Sequence, residues 1–133
     1  MRFSIAEAVD AAGIDRAALA QALPRVDASR VPVWAAARWF RFFWARGITA
    51  VALPWGVYVH PDRLRASLAD LGPLMVHELT HIEQWRRMGA VGWLRSYLGD
   101  YLRERRHGQP HHAAYRAIGL EVEARGTAAR LAG

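Results

Sequence analysis

Cysteine, lysine and asparagine are all missing from this chain of 133 residues. Without cysteine there is no disulfide framework and no thiolate metal site, which leaves His, Asp and Glu as the strong ligands. Without lysine all 18 basic residues are arginine, a skew that, together with the missing asparagine, reads as the mark of a GC-rich genome. The net charge of +6 therefore says less about an anionic partner than its size suggests. Arginine binds phosphate well, but no recognised nucleic-acid motif accompanies the charge, and no specific nucleic-acid partner is expected. Long apolar runs are missing too. Glu7 and Asp10 interrupt what would have to be the apolar stretch of a signal peptide, so the expected location is the cytoplasm.

The length bounds the architecture to a single domain with one apolar core. Its expected division is a helical N-terminal part, 1–47, and a core of 48–133. Two short helices are expected first, Ile5 to Ala12 and Asp15 to Leu23, separated by Gly13 and with Asp15 as an N-cap. The second has almost no polar side chains with which to read bases, so a helix-turn-helix DNA reader is not expected.

Val33 to Arg46 crowds Trp34, Trp39, Phe40, Phe42, Phe43 and Trp44 among three arginines. A helix there is too short and too charged to span a bilayer. It forms part of the core, or it lies at a membrane surface as a peripheral contact. Ile48 to His60 then turns to a β-type pattern around Pro54-Trp55-Gly56, which predicts a hairpin. His60 and Tyr58 have ordinary loop and cross-strand roles as their default.

The most informative string is His77-Glu78-Leu79-Thr80-His81, which spells H-E-x-x-H. Chance alone supplies that string in roughly one chain in a hundred of this composition, so its context decides. Pro73 suits a first helical turn and Gly89 a left-handed cap, which predicts a helix of about 73 to 88. Within it Leu74, Val76, Leu79, Ile82 and Trp85 supply the apolar positions, while Arg86 and Arg87 sit in the last turn. Side chains four apart lie one turn above each other, so two imidazoles at that spacing can bind one Zn²⁺. Glu78 stands beside them, able to hold and deprotonate a metal-bound water without being a ligand. Glu83 departs from the otherwise uncharged surroundings and is expected to face solvent or an arginine.

A catalytic zinc needs a third protein ligand and one open position. After a break at Gly108-Gln109-Pro110, the helix-forming stretch His111 to Arg125 carries Glu121 and Glu123. Residues two apart face different ways on a helix, so only one of them can look at the first helix. Residues 90 to 106 form another expected helix, with Val91, Leu94, Leu98 and Leu102 at core spacing and Trp93, Tyr97 and Tyr101 on an adjoining stripe. Tyr97, Tyr101, Tyr115, His111 and His112 are the candidates for stabilising an oxyanion.

HELTHIEQW, followed about forty residues later by YRAIGLEVEA, resembles the gluzincin type of zinc peptidase. It is closer still to small bacterial metallopeptidase families with H-E-x-x-H-x-x-Q and a downstream E-x-E-A helix. The resemblance covers roughly residues 48 to 126. In related membrane-bound peptidases the glutamate three before the Ala of E-x-x-A-D is the third zinc ligand, which implies Glu121 here. The Asp after that Ala is Arg125 in this chain, so its role is missing or falls to another residue such as Glu123. The resemblance implies a mainly α, zincin-like (α+β) domain in which His77, His81 and Glu121 hold Zn²⁺. The implied activity is hydrolysis of a peptide or protein substrate, with Glu78 as the catalytic base and an extended substrate lying along the hairpin edge. The alternative is a non-catalytic metal-containing module that meets a membrane or protein partner through the Trp34 to Trp44 helix.

Overall fold

A computed structural model describes residues 3–37 and 49–132. The protein is mainly α-helical with one four-stranded sheet. Strand β1 (Phe3–Ser4) leads directly into helix α1 (Ile5–Ala11), and α2 (Arg16–Ala22) follows. Ser4 caps α1 through a reciprocal pair of bonds with Glu7, and the Asp15 carboxylate caps α2 by accepting from the amides of Ala17 and Ala18. A short 3-10 turn, Ala28–Arg30, brings the chain to β2 (Pro32–Ala35).

Strand β2 replaces the start of the helix expected over Val33 to Arg46, and residues 38–46 of that stretch lie outside the described residues. Pro32 and β-branched Val33 favour extended backbone, and Val33 is fully buried between Phe3 on one neighbour and Val57 on the other. The N-terminal part is thus not purely helical: it contributes two strands. The hairpin is present as β3 (Ala50–Leu53) and β4 (Gly56–Val59), but it is half of a larger sheet of order β1-β2-β4-β3. The β2–β4 pair is parallel and the other two are antiparallel.

Helix α3 (Gly72–Arg106) comprises the two helical segments expected on either side of Gly89. Gly89, at φ 74° and ψ 165°, is non-helical and separates the two segments at a kink. At its start a Cβ on Gly72 would collide with the Ala12 side chain, so glycine lets α3 pass close to the end of α1. Met75, Val76, Leu79 and Ile82 then bury against Ile5, Ala8 and Val9 of α1 and against Val33, Val57 and Val59 of the sheet. After Gly108 the chain returns as α4 (His111–Ala117) and, past a non-helical Ile118, as α5 (Gly119–Ala132).

Beyond Gly89 the packing face differs from the expected one. Val91 is 80% exposed, and Leu94, Leu98 and Leu102 are about half exposed. The adjoining stripe faces the protein instead. Tyr97 reaches Glu121 with its hydroxyl, Trp93 reaches Gln84 with its indole N–H, and Asp100 Oδ2 accepts from the Gly119 amide at 3.0 Å. Those polar ends find partners on α3 and α5, whereas the leucine stripe stays out of the core, with Leu94 and Leu98 lining an open cleft toward β3 and Val91 and Leu102 exposed.

Candidate metal centre

His77 and His81 sit one turn apart on the buried half of α3, with ring centroids 4.9 Å apart. Glu121, in the first turn of α5, places one carboxylate oxygen on each ring. Its Oε2 lies 3.1 Å from His77 Nε2 and its Oε1 lies 3.1 Å from His81 Nε2. All three ligand atoms fall within 4.8 Å of one another. Four donors about 2.1 Å from a tetrahedral Zn²⁺ stand about 3.4 Å apart, so the triad is already at nearly the spacing that the ion demands.

The electrostatics also favour a cation. Burial works against a charged His81, but its hydrogen bond to Glu121 and the charges of Glu78 and Glu121 win, and its pKa is pushed up to about 9. Burial likewise works against an ionised Glu121, yet the two imidazoles hold its carboxyl far below the usual range. In a metal-free chain protonated imidazole thus supplies the positive charge that the carboxylates ask for. Metal binding at such a site displaces protons.

His81 is oriented by Gln84, a fully buried residue one turn further along α3. Gln84 Nε2 donates to Leu120 O at 3.0 Å and to Glu123 Oε1 at 3.1 Å, both of them acceptors, which fixes the amide orientation. Gln84 Oε1 must then accept from His81 Nδ1, at 2.9 Å, leaving Nε2 toward Glu121. The same side chain ties α3 to the backbone immediately before Glu121. Glu123 is exposed and pairs with Arg87 at 3.2 Å, so it supports Gln84 and does not join the triad. Glu83 faces neither solvent nor the triad: it is buried, bound to the backbone amide and guanidinium of Arg25.

Two of the five oxyanion candidates converge on the site. Tyr97 and Tyr115 each donate a hydroxyl to Glu121 Oε1 at 3.2 Å, and burial together with the Glu121 charge pushes both phenols up. Tyr101 and His111 pair with each other at 2.9 Å instead, and His112 is exposed; none of the three lines the clefts beside the triad. His60 accepts from the Asp62 amide, and Tyr58 accepts from the Trp55 indole.

Glu78 lies between two open clefts. One, of about 360 Å³, runs past His81 and Glu121 between strand β3 and the Trp85, Trp93, Leu94, Tyr97 and Leu98 side chains. The other, of about 490 Å³, opens past His77 toward Thr49, Arg63 and Arg125. Ala50, Glu78 and Tyr115 line both, so the clefts form one trough below β3. Burial pushes the Glu78 carboxyl up, against the charges of His81 and His77.

Strand β3 is an edge of the sheet. The His60 amide donates to Thr49 O at 2.9 Å, and alternation along an antiparallel pair then turns the N–H and C=O of Ala50 and Ala52 outward. Trp85 Nε1 takes Ala52 O at 3.2 Å, which fastens the strand above α3. Among the described residues no strand pairs with that outer edge.

The residues that sequence reasoning missed are Gln84 as the orienting group and the convergence of Tyr97 with Tyr115. The first had a signal, a glutamine three positions after the second histidine on the same helix face. The second depends on α3 and α4 meeting around Glu121, which nothing local encodes. Comparison of the chain with protein-family models, with curated proteins and with solved structures finds no match in any of the three.

Proposed function

We propose that this protein is a zinc-dependent peptidase. His77, His81 and Glu121 hold the metal, and Glu78 is the general base. One observation carries the reading: the Glu78 carboxyl is buried, has no hydrogen-bond partner among the described residues, and lines both arms of the trough beside the triad. A structural metal site has no use for such a group. A hydrolytic one needs it there.

A bound Zn²⁺ supplies Lewis acidity, polarising the scissile carbonyl and lowering the pKa of water toward about 7. Glu78 takes one proton from the attacking water as the water oxygen bonds to the carbonyl carbon. It returns that proton to the nitrogen as the C–N bond breaks, and the second proton of the water passes from the new carboxyl group to the amine, which leaves a carboxylate and an ammonium group. Burial raises the Glu78 carboxyl above its ordinary range, which strengthens it as a proton acceptor. Tyr115 lines both clefts, and its hydroxyl is the donor for the oxyanion in this proposal. An extended substrate would lie along β3 and use the outward N–H and C=O of Ala50.

The test compares wild type with Glu78→Gln on a panel of extended peptides, with and without anionic vesicles. The variant is expected to keep its fold and zinc while hydrolysis falls by about 10² or more. Equal rates for the two proteins would remove the catalytic assignment.

A second reading, a non-catalytic metal-containing module that docks on a membrane surface or protein partner, is favoured by the exposed Val91, Leu94, Leu98 and Leu102 stripe. Among the described residues no helix is long and apolar enough to cross a membrane. On this reading vesicles bind the protein and neither wild type nor Glu78→Gln cleaves anything.

A further inference from the structure

We infer that the arm of the trough beyond His77 is a carboxylate-binding subsite, in which Arg63 and Arg125 select peptides that carry an acidic group next to the reacting bond. The inference rests on the peptidase reading for the ligand's being a peptide, and it adds which peptides are taken. Arg63 is exposed on a 3-10 turn just after the sheet, while Arg125 is half-buried on α5, so two arginines from separate elements line one cleft.

Their charges are not used up inside the protein. Most other ion pairs of the described residues join near neighbours or neighbouring helices: Arg16 with Asp10, Arg87 with Glu123, Arg103 with Asp100. Among the described residues neither Arg63 nor Arg125 meets a carboxylate. Arg125 donates to the Arg116 carbonyl, a neutral acceptor that positions the guanidinium without cancelling its charge. The adjacent first turn of α3 carries no acidic side chain, and Glu78 is the single carboxylate lining the cleft. Two cations therefore face a cleft of about 490 Å³ whose one acid is committed to the reaction.

The opposite arm is different: it is lined by Val51, Leu53, Trp85, Trp93, Leu94 and Leu98 and, among the described residues, by no arginine. A substrate in the trough would thus place apolar side chains on the Trp93 side and an anion on the His77 side. Guanidinium binds a carboxylate through paired, charge-assisted hydrogen bonds, and two guanidinium groups within one cleft suit it well. The carboxylate comes either from the C-terminus of the peptide or from an Asp or Glu side chain, and the experiment separates the two.

Fluorescently labelled peptides of one sequence would be bound to the full chain after removal of metal, so that nothing is cleaved. Four versions are needed: a free or amidated C-terminus, each with Glu or Gln at an internal position. Wild type is expected to bind at least one carboxylate version about tenfold or more tightly than the neutral peptide. That preference should weaken in Arg63→Gln, which sits on an exposed turn and leaves the core alone, and should vanish in Arg63→Gln/Arg125→Gln. Arg125→Lys should restore part of it. The version that carries the preference identifies the source of the carboxylate. Equal binding of all four peptides, or a preference that survives the double variant, overturns the inference. The same peptides offered to zinc-loaded protein keep the two readings apart. Cleavage of neutral and acidic peptides alike, without preferential binding, leaves a peptidase and removes the subsite. Arginine-dependent binding without any cleavage leaves the subsite and removes the peptidase.

Discussion

Helix α3 carries apolar residues at helical spacing on both sides of Gly89, and the two halves meet opposite environments. Before the kink, Met75, Val76, Leu79 and Ile82 are covered by α1 and the sheet, and even the polar Thr80, Glu83 and Gln84 are buried. After it, Val91, Leu94, Leu98 and Leu102 face outward, and the side that packs is aromatic and polar. The same periodicity therefore marks a core face in one half and an open face in the other. What differs, among the described residues, is whether a second element packs directly on that face. Thr80, Glu83 and Gln84 stay buried because each has a partner, Thr80 on Val76 O, Glu83 on Arg25, Gln84 on His81 and Leu120, whereas the buried Glu78 has none among the described residues.

The largest expected contrast concerns the metal. Native protein should carry about one zinc per chain, and His77→Ala, His81→Ala or Glu121→Gln should bring that close to zero. Glu123→Gln, which touches only Gln84 and Arg87, should hold zinc within about tenfold of wild type. Metal analysis and competition with a chelator read both, and the reverse ranking of the two glutamates would move the third ligand to Glu123.

Stability should split along the same line. Ile82→Ala removes a fully buried side chain and is expected to lower unfolding free energy by about 2 to 5 kcal/mol. Val91→Ala, at a position 80% exposed, should stay within about 0.5 kcal/mol of wild type. Denaturant melts check this, and a large loss at Val91 would show that the outer stripe is covered in solution.

Gly89 joins the halves in a backbone conformation nearly restricted to glycine. Gly89→Ala should cost about 1 to 3 kcal/mol in the same melts. A neutral outcome would mean that the kink relaxes and that the two halves are free to realign. The smallest effect is expected where the second half touches the site. Tyr97→Phe leaves Glu121 its bond from Tyr115, so zinc affinity should fall by about tenfold, at the low end for an outer partner of a ligand. No change would confine the centre to the first half of α3 and to α5.

Much of this was legible in local chemistry. The caps at Ser4 and Asp15, the hairpin around Pro54-Trp55, the start of α3 at Gly72-Pro73 and the break at Gly108 are interactions within a few residues, so a linear string contains them. His77, Glu78 and His81 belong to the same class, because one helical turn brings them together whatever the rest of the chain does.

Tertiary structure decided the remainder. Spacing alone allowed either Glu121 or Glu123 to approach the histidines. The rotation of α5, tied to α3 through Gln84 and Leu120, puts Glu121 between the two rings and Glu123 at the surface. Pairing with residues distant in the chain made Pro32–Ala35 a strand, and no element of the described residues packs over the leucines after Gly89. Those outcomes depend on partners 24 to 58 residues away, such as Val57 for Val33, Glu121 for His77 and Arg25 for Glu83. A periodic pattern says that a face exists; only the packed chain says what that face meets.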